Sequence, residues 1–355
     1  MNKDFLNFSP SDDDTLQLID ENRSTLSHLI TQQYFDKHPP INAAQKLRLS
    51  QLCQEDIAHH LDFLKNALHL GKGQLFIDYI IWLKSVLNGR NLDTTDTVEA
   101  LHQMMIFFQQ LLKKSEQIKS QGIIEHAIKL LKTAPTIPAS YISTDIEVHK
   151  NCPSYAQALV SNNRQKSGQI IQQAIIDGTS YGDICTEIIQ PSMYEVGRLW
   201  QINQLSVAEE HLATVTSQNL LSSMYTQMDF KETNHRKALF ACIEDNHHAL
   251  GLRMISDVFE LQGWTVDYLG ENTPTHSLIQ MIDKQSIDLL GLSISMFDQL
   301  NLLKQTIAKL KSELGSACPD IAIGGFPLNN FPELVNSMKA EIWFSNATIA
   351  AKEAK

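Results

Sequence analysis

Beyond residue 231 the chain changes rhythm, with short apolar runs at 238–243, 266–269, 289–294, 321–323 and 342–344. Amphipathic stretches at 251–261, 275–284, 300–314, 332–338 and 347–352 separate them. Strands that alternate with helices pair through crossovers, which predicts a parallel, doubly wound sheet. Right-handed crossovers and a flavodoxin-type order, 2-1-3-4-5, are expected. A ligand crevice would then lie outside the carboxyl ends of the first and third strands.

The residues at those strand ends are unusual. After the first run come Glu244, Asp245, Asn246, His247, His248, Ala249, Leu250 and Gly251. The third run ends in Ser293-Ile294-Ser295-Met296, and the fourth in Gly324-Gly325-Phe326-Pro327, where two glycines let backbone approach a flat ligand closely. A His-His pair after a strand, taken alone, also fits a helix cap or two solvated side chains. With Ser293, Ser295, Gly324 and Gly325 at the ends of later strands, this edge is a place to hold a metal-bearing cofactor. A crevice of this kind has room for a long nucleotide tail.

Upstream, apolar residues such as Ile57, Leu61, Leu64 and Leu68 recur at helical spacing, and residues 15–131 are expected to be helical. Pro135 and Pro138 interrupt the pattern, so 133–144 reads as a linker. Further amphipathic stretches between 155 and 228 fit a four-helix bundle. The expected organisation is α plus α/β: a helical domain at 1–134, a bundle at 149–230 and a Rossmann-like, flavodoxin-type domain at 236–355.

A net charge of -11 opposes a partner whose main feature is a phosphate backbone, so nucleic acid is not expected. No apolar run is long enough to span a bilayer, and the start of the chain is polar and acidic, so no membrane and a cytoplasmic address are expected. Cys53, Cys152, Cys185, Cys242 and Cys318 show no Cys-x-x-Cys spacing and are read as reduced.

The sheet domain resembles the cobalamin-binding Rossmann-like domains, which share Asp-x-His-x-x-Gly, a Ser-x-Ser or Ser-x-Leu strand end and a later Gly-Gly. The resemblance implies base-off cobalamin with a histidine below cobalt. Gly251 sets the register and makes His248 the ligand, with His247 the alternative, and Asn246 stands where the family has an acid. Asp245 or Glu244 remains as a partner to orient the ring. Ala249 and Leu250 complete the loop that would contact the cofactor.

Trp200, followed after nine residues by Glu210 and His211, resembles the cap over the adenosyl group in CarH-type light sensors. An indole there excludes water, Glu210 can accept from ribose hydroxyls, and Val207 and His211 add contacts. Gln201 replaces a histidine that those sensors use as the upper ligand after illumination. Water or His211 is the expected substitute.

The first third has no helix-turn-helix signature and resembles the leader of the photocobilins, which imply biliverdin beside cobalamin. Residue chemistry suggests His59, His60, Tyr79, Trp82, Lys84 and Arg90 as bilin contacts, with solvated-face and core roles as the plain alternative. Cys53 is a further candidate for a thioether. The reading is a non-enzymatic light sensor holding adenosylcobalamin and biliverdin, signalling through light-dependent self-association and an unidentified downstream protein. A corrinoid methyl carrier is the alternative.

Overall fold

The computed structural model describes residues 6–39, 42–142 and 151–354. The last part of the expected linker, residues 143 and 144, and the expected start of the bundle, residues 149 and 150, lie outside them. The chain divides into two compact units, 1–138 and 139–355.

The first unit is helical: α1 (Asp13–Lys37), α2 (Ala43–Leu70), α3 (Gly73–Gly89), α4 (Thr95–Leu111) and α5 (Lys114–Thr133). Asp12 caps α1 by accepting from the Thr15 amide. Leu61, Leu64, Leu68, Phe76, Ile77 and Ile80 from α2 and α3 are almost completely buried.

The second unit begins with α6 (Cys152–Val160), α7 (Arg164–Ile176), α8 (Tyr181–Asp183), α9 (Gln190–Gln201) and α10 (Val207–Tyr225). A π-turn, Ile184–Ile189, joins α8 to α9. Pro191 lies in the first turn of α9 and cannot donate to the turn before it. The wider turn absorbs the missing bond, so the helix continues and the expected four-helix bundle forms.

The sheet follows: β1 (Lys237–Ile243), α11 (Leu250–Leu261), β2 (Thr265–Thr273), α12 (Thr275–Lys284), β3 (Leu289–Ser293), α13 (Gln299–Leu314), β4 (Asp320–Gly324), α14 (Phe326–Asn330), α15 (Val335–Met338), β5 (Ile342–Phe344) and α16 (Ala347–Glu353). All pairings are parallel, in the order β2-β1-β3-β4-β5, as the alternation requires. β2 runs past the expected end at 269 to Thr273, because register shifts against β1 absorb Gly270 and Asn272, both at positive φ.

The bundle and the sheet, separate domains in the sequence reading, share one core. Tyr155, Ile184, Ile188 and Val196 belong to the same buried cluster as Phe240, Phe259, Trp264 and Phe344. Polar contacts cross the same boundary. Tyr181 Oη of α8 donates to Asp257 Oδ2 of α11 at 2.5 Å, and Thr348 Oγ1 of α16 donates to Asp183 Oδ1 of α8 at 3.0 Å. Within α11, Arg253 Nε donates to the same Asp257 at 2.5 Å. Burial holds the Asp257 carboxyl above its usual range even with both donors attached.

Candidate cobalamin site

The β1–α11 loop is held by its main chain. Asn246, fully buried, donates from Nδ2 to the Ser293 carbonyl at 2.9 Å, and its Oδ1 accepts from the His248 amide at 3.1 Å. The His248 carbonyl accepts from Ser295 Oγ at 3.4 Å and from Cys242 Sγ at 3.8 Å. Asp245, at φ 63, donates its amide to Asn272 Oδ1, and the Asn272 amide returns a bond to the Asn246 carbonyl. The His248 backbone is therefore fixed at both ends while the residue stays exposed.

His247 is also exposed and lies 3.8 Å from Glu271 on β2. A carboxylate beside an imidazole is also the arrangement that orients a metal-bound ring, so His247 stays the alternative ligand to His248. The expected acid partner for His248 is absent among the described residues: Glu244 and Asp245 are exposed, and neither bonds the His248 ring. Asn246, at the family's acid position, has turned inward to β3.

Gln299 is the residue that sequence reading missed. Buried at the first position of α13, it donates from Nε2 to the Asp245 carbonyl at 2.9 Å. Its Oε1 accepts from the amides of Ser295 at 2.8 Å and Met296 at 3.0 Å. One side chain thus joins the loops after β1 and β3. The only sequence signal is a glutamine where a strand-end loop turns into a helix.

The two glycines after β4 serve the fold as well as any ligand. A Cβ on Gly325, at φ 125, would lie 1.7 Å from the Ile294 carbonyl oxygen, and one on Gly324 would lie 2.9 Å from that of Phe344. Gly251 differs: a Cβ there would meet nothing within 4 Å. Open space over the first turn of α11, next to an exposed imidazole and the half-buried Ser295, fits a broad planar group. Ala249, Leu250 and Ser293 line the same loop and strand end, with Ser293 itself buried.

The helical cap meets this edge. The Tyr194 ring of α9 packs edge-on against Phe326 after β4, centroids 5.3 Å apart, and Phe326 continues to Phe297 after β3 at 6.0 Å. α10 runs beside α11, with Tyr225 near its end bonded to Glu260.

Trp200 ends α9, and a tight turn leads into the Ser206–Glu209 capping box that opens α10. The turn brings Trp200 to the same end of the bundle as Val207, Glu210 and His211. His211 Nδ1 lies 2.7 Å from Glu210 Oε2, and Glu210 Oε1 accepts from Thr214 Oγ1 at 2.8 Å. Val207 and His211 are exposed, while Trp200, Gln201 and Glu210 are half-buried. Glu195 anchors the same helix to the linker by accepting from Ser140 Oγ and the Tyr141 amide, each at 3.0 Å.

In the helical unit, His60 Nδ1 lies 2.7 Å from Tyr79 Oη, and Tyr79 stacks on Phe63 at 3.8 Å and beside Trp82 at 6.2 Å. Three bilin candidates thus share one aromatic stack. His59 is exposed. Lys84 Nζ donates to the Ala134 carbonyl at 2.6 Å and Arg90 Nη1 to that of Val86 at 3.0 Å, so main-chain carbonyls hold both cations. Burial pushes the Cys53 thiol up, which disfavours the thiolate that a thioether linkage needs.

A parallel sheet with an imidazole loop at its carboxyl edge and a helical cap above defines the architecture of a corrinoid-binding unit. Residues 236–354 match the family model described as B12 binding domain, and residues 153–223 match a second model of the same description. The chain therefore carries cobalamin-binding domains. It is 26% identical to the HTH-type transcriptional repressor CarH of Myxococcus xanthus over 139 residues, 39% of this chain and 46% of that protein. It is 26% identical to the dimethylamine corrinoid protein of Methanosarcina barkeri over 113 residues, 32% of this chain and 52% of that protein. The chain spans about half the length of these curated relatives. A solved monomethylamine corrinoid protein from Methanosarcina barkeri aligns with a TM-score of 0.49 at 19% identity, over 56% of this chain and 94% of that one.

No helix among the described residues is long and apolar enough to cross a membrane.

Proposed function

We propose that this protein is a light sensor holding adenosylcobalamin between the cap and the sheet, with His248 as the ligand beneath cobalt. The observation that carries this reading is the pairing of Glu210 with His211 at 2.7 Å in the first turns of α10, at the end of the bundle where α9 presents Trp200. A carboxylate that already orients an imidazole and a hydroxyl is built to accept from a vicinal diol. The indole beside it would exclude water from the upper face.

Bound adenosylcobalamin supplies a cobalt–carbon bond that visible light cleaves. Trp200, Val207, Glu210 and His211 would contact the adenosyl group in the dark only, so its departure removes contacts that favour one cap position. α9 then shifts, and Glu195 carries that shift to residues 139–142. Output is a change in assembly passed to a protein partner, without turnover of a substrate. Biliverdin in the His60–Tyr79–Trp82 stack would extend the response to red light.

The test is an absorption spectrum and a sizing run of protein loaded with adenosylcobalamin, before and after green illumination. A light-driven change in both supports the reading, and Trp200→Ala should weaken retention of the adenosyl form more than of methylcobalamin. The similarity to the dimethylamine corrinoid protein supports a second reading, a methyl carrier. That reading predicts equal retention of both forms and no change in assembly on illumination.

A further inference from the structure

We propose that Asn246 and Gln299 form a two-amide clamp that sets the His248 loop against the end of β3 before any cofactor arrives, so the imidazole is aimed through the main chain and not by a carboxylate on its ring. The proposal rests on the reading of His248 as the cobalt ligand. Both carboxamides are buried, and each uses its donor and its acceptor at once. Asn246 ties the His248 amide to the Ser293 carbonyl. Gln299 ties the Asp245 carbonyl to the amides of Ser295 and Met296. The two clamps meet at Ser295, whose hydroxyl donates to the His248 carbonyl.

Only a carboxamide satisfies both positions, because each faces a carbonyl on one side and amide protons on the other. An aspartate at 246 would turn an unprotonated oxygen toward the Ser293 carbonyl and loosen the loop. The acid that would ordinarily orient a metal-bound imidazole is thus excluded by the hydrogen bonds that orient the loop. A loop ordered in advance binds without the entropy cost of ordering it on contact, so the clamp should appear directly in affinity.

The test uses the full chain with Gln299→Met, Gln299→Glu and Asn246→Asp. Two readouts are taken: hydrogen exchange at the His248, Ser295 and Met296 amides without cofactor, and cobalamin affinity with the spectrum at saturation. Gln299→Met should speed exchange at Ser295 and Met296 at least tenfold and weaken cobalamin at least tenfold. Exchange in the β1 and β4 core and the saturated spectrum should stay unchanged. Gln299→Glu keeps an acceptor for those two amides but faces Asp245 with the wrong charge, so it should retain their protection and still bind more weakly. Asn246→Asp should bind more weakly although it restores an acid.

Unchanged exchange in Gln299→Met overturns the clamp, as does tighter binding by Asn246→Asp with a shifted spectrum, which would show a carboxylate reaching the ring. If His248→Ala leaves the cobalamin spectrum unaltered, the ligand assignment fails, yet the exchange results still decide whether the clamp exists.

Discussion

His60 gives the helical unit a dependence on pH whose sign and size follow from its surroundings. Its ring is buried against Tyr79, and burial, assisted by the neighbouring His59, lowers its pKa from 6.5 to about 4. The folded unit therefore refuses a proton that the unfolded chain accepts anywhere between those values. Stability from this group is complete above pH 6.5, falls as the pH drops through the window, and levels off below about 4. At about 1.4 kcal/mol per pH unit, the window amounts to about 3 kcal/mol, a large share of what an ordinary domain has in hand. Hydrogen exchange of α2 and α3 amides, corrected for intrinsic rates, reads the opening free energy of this unit within the intact chain. His60→Gln keeps a polar partner for Tyr79 and removes the titration. Between pH 7 and 4.5 the wild type should lose about 2 to 3 kcal/mol more than the variant. Parallel curves would refute the assignment of a neutral, desolvated imidazole.

Three further outcomes are expected. Gly325→Ala must place a Cβ 1.7 Å from the Ile294 carbonyl at φ 125, so it should cost about 2 kcal/mol or more in urea unfolding; wild-type stability would contradict the geometry. Tyr181→Phe should cost about 2 kcal/mol by removing a hydrogen bond to a buried carboxylate, and Asp257→Ala more than that, because it leaves the buried Tyr181 hydroxyl without its acceptor and also removes the partner of Arg253. The reverse order would contradict the arrangement around Asp257. Burial opposes ionisation of Glu195, but Arg198, the Tyr141 amide and Ser140 outweigh it and hold the carboxyl below its usual value of 4.5. That contribution is present above pH 4.5 and lost as the pH falls through the lowered value. Limited proteolysis at residues 139–142 should therefore accelerate on acidification, and Glu195→Gln should abolish the pH dependence.

The sheet was legible because its apolar runs and the loop after the first of them are local signals. Five short runs separated by helical periods leave one topology of high probability, and β1 to β5 follow it. The strand-end residues His248, Ser293, Ser295 and Gly325 stand out by type in places where ordinary sheets carry polar filler. Gln299 did not stand out, since a glutamine beginning a helix looks like surface until the loops it joins, 54 residues apart in sequence, are brought together. The shared core of bundle and sheet was hidden for the same reason. Tyr181 and Asp257 are 76 residues apart, and neither announces the other. The role of Asn246 was equally hidden: the sequence shows that it departs from the family's acid and leaves Asp245 or Glu244 as the ring's partner, but not that its own buried amide ties the loop to β3.

The account depends most on an imidazole from residue 248 reaching cobalt. The most direct measurement is the electron paramagnetic resonance spectrum of the chain loaded with cob(II)alamin, compared among the wild type, His248→Ala and His247→Ala. Coupling to one axial imidazole nitrogen should be present in the wild type and in His247→Ala and absent in His248→Ala. Coupling that survives in His248→Ala, or is lost only in His247→Ala, would contradict the assignment and the arrangement of the site built on it.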